Sequence, residues 1–202
     1  MLNNPAARKL STAVLEPIAR LLLKLRVSPD AVTVTGTLIT CTAALAFFPR
    51  GDFIPGVIII AASVIADLLD GTMARLSGRA GPWGNFLDAT LDRVADGCVF
   101  GALVLWAAST GNAWTTAAAL TCLVGGQVIS YAKARAEAVG ATANVGIAER
   151  AERLIVVLLA ALLAGLGVPY VLPVALGALA ILSVITVIQR IVVVRRQLKA
   201  PR

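Results

Sequence analysis

The chain has 202 residues, of which 58% are apolar and only 14% charged, against roughly 45–50% and 25% in soluble domains. Such a composition excludes an ordinary water-soluble globule and makes the bilayer the natural solvent for most of the chain. A formal charge of +7 at pH 7 would suit nucleic acid, but basic residues set among long Val, Leu, Ile and Ala runs exclude a nucleic-acid domain and leave anionic lipids or phosphates as partners.

At the N-terminus Leu10, Val14, Ile18, Leu21, Leu22 and Leu25 recur at helical spacing, with Lys9, Arg20 and Lys24 on other faces. This predicts a basic amphipathic helix lying on the membrane surface, kinked or divided at Pro17. Charge keeps interrupting the apolar positions of this segment, so it does not read as a secretory signal and is expected to be retained. In the turn Ser28-Pro29-Asp30, Ser28 or Asp30 can cap the next helix and Pro29 can fix its entry. Residues 1–30 are thus assigned to a surface helix and turn, and residues 31–202 to a membrane domain.

Apolar stretches of about 20 residues, enough to cross about 30 Å of hydrocarbon, begin near Val32, Pro55, Phe86, Ala113, Leu154 and Tyr170. The fold class expected is an all-α integral membrane protein with six transmembrane helices. Breakers at Pro49–Gly51, Ser77–Gly84, Ser109–Asn112, Gly140–Gly146 and Gly165–Pro169 separate them. Of the 18 basic residues, 17 fall before the first span, around the second and fourth loops, or at the end of the chain, and Arg50 alone falls with the opposite loops. The positive-inside rule then puts both termini and loops two and four in the cytoplasm. Cys41, Cys98 and Cys122 lie scattered in apolar segments without metal-ligand spacing and read as small core residues.

Ionisable groups inside a membrane cost roughly 2.5–3.5 kcal/mol for an Asp at mid-helix, so each needs a reason. Five of the eleven acids, Asp67, Asp70, Asp88, Asp92 and Asp96, lie close together in the chain. Asp67 and Asp70 share one helix face at the end of the second span, as do Asp88 and Asp92 at the start of the third. Four carboxylates with Arg75, Arg79 and Arg93 nearby would repel one another unless a cation sat between them. All-oxygen ligation without His or Cys suits Mg²⁺ or Mn²⁺, with room for two ions, and such ions at a membrane edge serve phosphate chemistry. Gly71, next to Asp70, leaves the backbone open to a ligand.

The run Asp67-x2-Asp70-Gly71-x2-Ala74-Arg75-x8-Gly84-x3-Asp88-x3-Asp92 resembles the defining motif of the CDP-alcohol phosphotransferases at all eight fixed positions. The resemblance covers the whole chain, because that family has six transmembrane helices, a juxtamembrane N-terminal helix and a cytoplasm-facing polar cavity. It implies that Asp67, Asp70 and Asp88 bind one metal ion and that Asp67, Asp88 and Asp92 bind a second. Asp92 would also act as the base towards the acceptor hydroxyl. The family further implies that Gly71, Thr72 and Arg75, with the turn residues Pro29, Asp30, Ala31 and Val32, line the CDP-diacylglycerol site. Asp96 lies outside the motif and receives no catalytic role. The resemblance also implies a homodimer, which the Gly97 and Gly101 pair could serve by close helix approach.

Basic residues crowd the cytoplasmic ends of the last three spans: Lys133 and Arg135, Arg150 and Arg153, Arg195 and Arg196. With Ser130 one helical turn from Lys133, they suit the phosphate of an acceptor, although the positive-inside bias alone would place them there too, and Glu149 could pair with Arg153. Within the family, the 130–135 and 149–153 stretches look most like actinobacterial phosphatidylinositol phosphate synthases. That likeness implies a bacterial plasma membrane and 1D-myo-inositol 3-phosphate as acceptor, with glycerol 3-phosphate, and so a phosphatidylglycerophosphate synthase, as the alternative. A non-enzymatic ion transporter would carry polar groups right across the bilayer, whereas these helices are apolar beyond their cytoplasmic third.

Overall fold

A computed structural model describes residues 5–78, 81–147 and 149–199, with side chains from Leu15 onward apart from Ala66 and Leu68. Arg79 and Arg202, counted among the cytoplasmic cations, and the Leu10 and Val14 side chains of the first apolar stripe lie outside what it describes. Among the described residues the chain is all helical: α1 Pro5–Lys24, α2 Pro29–Phe47, a 3-10 turn Phe48–Arg50, α3 Phe53–Leu76, α4 Pro82–Ser109, α5 Ala113–Ala138, α6 Arg150–Gly165 and α7 Val171–Lys199. The helices α2–α7 match the six apolar stretches. Four stretches, Pro29–Arg50, Phe53–Leu76, Ala113–Ala138 and Val171–Lys199, are long and apolar enough to cross a membrane. α6 has 16 residues, and α4 carries Asp88, Asp92, Arg93 and Asp96 within its first 15 residues.

The helix ends follow local chemistry. Pro17 lies inside α1 without dividing it. α1 ends at Lys24, and just beyond it Arg26 takes a left-handed backbone (φ 61°) while Arg26 N–H bonds the Leu23 carbonyl and Val27 N–H the Leu22 carbonyl, both at 3.0 Å. This bond pair closes a helix C-terminus. Ser28 then caps α2 as expected, its hydroxyl accepting the Ala31 N–H at 3.2 Å, with Pro29 in the first helical position. Asn112 caps α5 through the Thr115 N–H at 3.1 Å.

The chain divides into two compact units, Met1–Ala43 with Ile58–Ala95 and Ala44–Val57 with Asp96–Arg202. In the first unit Ile60 and Met73 are fully buried, together with the hydroxyl residues Thr33, Thr37 and Ser63. Buried hydroxyls in these apolar helices satisfy themselves on their own backbone, as Thr37 does on the Thr33 carbonyl (3.0 Å) and Ser63 on Ile59 (3.1 Å). In the second unit α7 packs against α5 and α6 over a core that includes Val157, Leu172, Leu176 and Phe100. Phe48, Phe53 and Trp106 form an aromatic chain with centroids 5.7 and 5.2 Å apart. None of the three cysteines forms a disulfide; Cys122 is a core residue as expected, whereas Cys41 and Cys98 are only half-buried.

Within the chain, α5 comes close to α7 at Gly125, whereas Gly97 and Gly101 carry no tight contact. A Cβ on Gly101 would meet nothing within 4 Å, and one on Gly97 would lie an ordinary 3.8 Å from Gln127 Nε2. A Cβ on Gly125 of α5, by contrast, would sit 2.9 Å from Ser183 Cβ of α7. Gly125→Leu should therefore force α5 and α7 apart and destabilise the fold by about 1–3 kcal/mol. Gly177→Ala, where a methyl meets open space, should be neutral; thermal unfolding in detergent compares the two.

Candidate active site

The first unit encloses a cavity of about 310 Å³ between the N-terminus of α2, the end of α3 and the start of α4. From α2 it takes Pro29, Asp30 and Thr33, from α3 Asp70, Gly71, Ala74 and Arg75, and from α4 Gly84, Asn85 and Asp88. Helical periodicity explains the convergence. Asp70, Gly71, Ala74 and Arg75 fall within one and a half turns of α3, and Gly84 and Asp88 are one turn apart on α4. Six of the residues singled out from sequence therefore meet here: Pro29, Asp30, Asp70, Gly71, Arg75 and Asp88.

The others take different places. Thr72 is buried behind the wall and accepts a hydrogen bond from Arg75 Nη2 at 3.1 Å, which orients that guanidinium. Ala31 and Val32 face away from the polar cavity into a second, apolar cavity of about 520 Å³ that they share with Thr35, Ile39, Ile58 and Ile59. Asp67 is half-buried opposite Gly36, where a Cβ would come within 3.1 Å of its Oδ1, so glycine there makes room for the carboxylate. Asp92 lies 3.9 Å from the Arg93 guanidinium.

Three contributors had no sequence signal. Thr33 Oγ1 donates to Asp70 Oδ2 at 2.6 Å, a charge-assisted bond across 37 residues that fixes one carboxylate oxygen. Trp83 Nε1 donates to Asp30 Oδ2 at 3.0 Å and so ties the start of α4 to the α2 turn. Asn85 adds an amide to the cavity wall.

Among the described residues no three carboxylate or thiol groups already stand at ion-holding spacing. The donor set nevertheless fits a hard divalent ion: Asp70, braced by a hydroxyl, and Asp88 both face the cavity, Asp67 and Asp92 lie one turn away on the same two helices, and every donor is oxygen.

In the second unit the acceptor-site candidates divide into two groups. Arg153 is buried, with its guanidinium carbon 4.9 Å from the Phe100 ring centroid and Nη2 donating to the Cys122 carbonyl at 2.8 Å. Gly126 makes this possible, since any Cβ there would collide with the guanidinium. Arg150 Nε donates to Asp96 Oδ1 at 3.2 Å, which gives the buried Asp96 a partner. Lys133, Arg135, Arg195 and Arg196 are exposed, and Ser130 is half-buried. Glu149 lies 3.9 Å from Arg190.

Residues 26–197 match the family model described as CDP-alcohol phosphatidyltransferase. The chain is 49% identical to the phosphatidylinositol phosphate synthase of Streptomyces avermitilis over 96% of its own length and 83% of the relative's. It is 44% identical to that of Corynebacterium glutamicum over 92% and 85%. Among solved structures it is similar to the Mycobacterium tuberculosis phosphatidylinositol phosphate synthase with CDP-DAG bound, at a TM-score of 0.87 and 43% identity over 90% of this chain and 94% of that one. The same synthase in complex with manganese and citrate gives a TM-score of 0.85 at 42% identity, over 90% and 88%.

If the Thr33 hydroxyl presets Asp70 for an ion, Thr33→Val should weaken Mn²⁺ binding by about 10- to 100-fold, read by electron paramagnetic resonance titration, and Thr33→Ser should restore it.

Proposed function

The chain belongs to the CDP-alcohol phosphatidyltransferase family, and we propose that it transfers the phosphatidyl group of CDP-diacylglycerol to 1D-myo-inositol 3-phosphate, giving phosphatidylinositol phosphate and CMP. The observation that carries this reading is the cavity at which Pro29 and Asp30 meet the motif residues Asp70, Gly71, Arg75, Gly84 and Asp88. The 49% identity to a phosphatidylinositol phosphate synthase over nearly the whole chain supports the choice of acceptor.

Asp67, Asp70 and Asp88 would hold one Mg²⁺ or Mn²⁺ ion, and Asp67, Asp88 and Asp92 a second. When bound, such ions neutralise diphosphate charge and stabilise the leaving phosphate. Pro29 and Asp30 border the nucleotide, with Gly71 leaving the backbone open to it and Arg75, oriented by Thr72, against the diphosphate, while Ala31 and Val32 line the apolar cavity on the other side of α2 and meet the apolar part of CDP-diacylglycerol. The Asp92 carboxylate takes the proton of the acceptor hydroxyl. The freed oxygen attacks the phosphorus that bears diacylglycerol, the bond from that phosphorus to the CMP oxygen breaks, and CMP departs with the electron pair. Ser130, Lys133, Arg135, Arg150, Arg153, Arg195 and Arg196 supply the donors for the acceptor's own phosphate.

The same reading makes α2–α7 six spans in a bacterial plasma membrane, with both termini and the active site cytoplasmic, and makes the protein a homodimer. An even number of spans follows once the cations of α1 and of the α7 C-terminus stand on one side.

Purified protein given CDP-diacylglycerol and Mg²⁺ or Mn²⁺ should release CMP with inositol 3-phosphate and not with inositol or serine. Release with glycerol 3-phosphate alone would keep the mechanism and replace the acceptor. Asp92→Asn should cut turnover by about 10²- to 10⁴-fold while CDP-diacylglycerol still binds; loss of that binding would make Asp92 chiefly a metal holder.

A further inference from the structure

Among the described residues the connection from α5 to α6 has no helix or strand, yet α7 ties it down at several points. Helix α5 ends at Ala138, and the left-handed backbone of Gly140 just beyond it (φ 76°) lets Ala141 N–H return to the Ala136 carbonyl at 2.9 Å. Ala141 and Ala143 then bury beside Ala136, with Val194 of α7 packed on them. From Thr142 onward the backbone meets α7 side chains. Gln197 pairs with Thr142 in both directions, Oε1 accepting the Thr142 N–H at 2.9 Å and Nε2 donating to the Thr142 carbonyl at 2.8 Å. Thr186 Oγ1 accepts the Ile147 N–H at 3.3 Å, and Gly146 is needed there because a Cβ would lie 2.5 Å from Thr186 Cγ2. Between them the buried Arg190 donates Nε to the Val145 carbonyl at 3.0 Å and Nη1 to the Ile129 carbonyl at 2.6 Å. Its Nη2 lies 3.9 Å from Glu149.

Thr186, Arg190, Val194 and Gln197 follow one another at intervals of four, four and three residues, so they form a single stripe on α7. Two of the groups this stripe holds, both through Arg190, are next to candidate acceptor residues: the Ile129 carbonyl precedes Ser130 and lies one turn before Lys133, and the Glu149 carboxylate belongs to the residue before Arg150. We infer that Thr186, Arg190 and Gln197 are positioning residues for the acceptor phosphate, fixing the separation of the α5 and α6 helix ends that carry its cations. This rests on the proposed role of those cations. None of the three needs to touch the acceptor. They hold the spacing of the groups that do, and oriented binding is lost steeply when such groups shift by about 1 Å.

The full chain in lipid nanodiscs tests this with Gln197→Ala combined with Thr186→Val, and separately with Thr186→Ser. The double variant should raise the KM for the phosphorylated acceptor that the unmodified protein uses by at least about tenfold. Its KM for CDP-diacylglycerol should stay within about twofold, and amide hydrogen exchange at Thr142 and Ile147 should accelerate. Thr186→Ser, which keeps the hydroxyl, should behave as the unmodified protein. Faster exchange with an unchanged acceptor KM would overturn the inference, as would an equal rise in both KM values. An unmodified protein that releases CMP only with an unphosphorylated alcohol would overturn both this inference and the proposed acceptor, and that outcome is visible without any variant.

Discussion

An ionisable or polar group in an apolar helix must find a partner, and this constraint shapes both units of the structure. With so much of the chain apolar, water cannot be relied on to stabilise a buried charge, and each such group is costly until it is bonded. In the first unit the solution is a shared polar cavity. Thr33 holds Asp70, Trp83 holds Asp30, Thr72 holds Arg75, and Gly36 leaves space for Asp67. What remains facing the cavity is a set of hard oxygen donors beside a braced guanidinium, which is the equipment that transfer of a phosphate ester between two alcohols requires.

The second unit meets the same constraint with backbone carbonyls and one buried carboxylate. Arg153 bonds the Cys122 carbonyl and lies over Phe100, Arg190 bonds two carbonyls, and Arg150 pairs with Asp96. Arginine suits these places because its planar fork reaches several acceptors at once and is more weakly hydrated than an ammonium. The exposed Lys133, Arg135, Arg195 and Arg196 obey the looser rule of a cationic membrane surface. Two kinds of cation thus share this unit: some are bonded within the protein, and some are exposed.

The legible part of the site was the part written in short intervals. Spacings of four residues put Asp70 with Ala74, Gly71 with Arg75, and Gly84 with Asp88 on common faces, so the motif alone could assemble about half of the cavity wall. Ser28 as a helix cap was readable for the same reason, since its bond spans three residues. Small residues are not readable in the same way: nothing in the sequence set apart Gly125, which lies close against Ser183 of α7. A glycine in an apolar helix permits contact but does not attract it, and the sequence does not say which of several permissive positions a neighbour will use.

By itself the sequence determined the solvent, the helical segments, the chemistry of the donor set and the family, because composition, periodicity and motif spacing are all local. The tertiary structure decided which polar group each of those residues meets. Thr33 with Asp70, Trp83 with Asp30, Arg150 with Asp96 and Arg190 with Ile129 span 37, 53, 54 and 61 residues. The physical reason is a difference in directionality. Apolar burial is proportional to area and tolerates many rotations and shifts of one helix against another, whereas a hydrogen bond demands a distance and an angle. Only the packed helices, with their rotation and register fixed, choose among the partners that the sequence leaves possible.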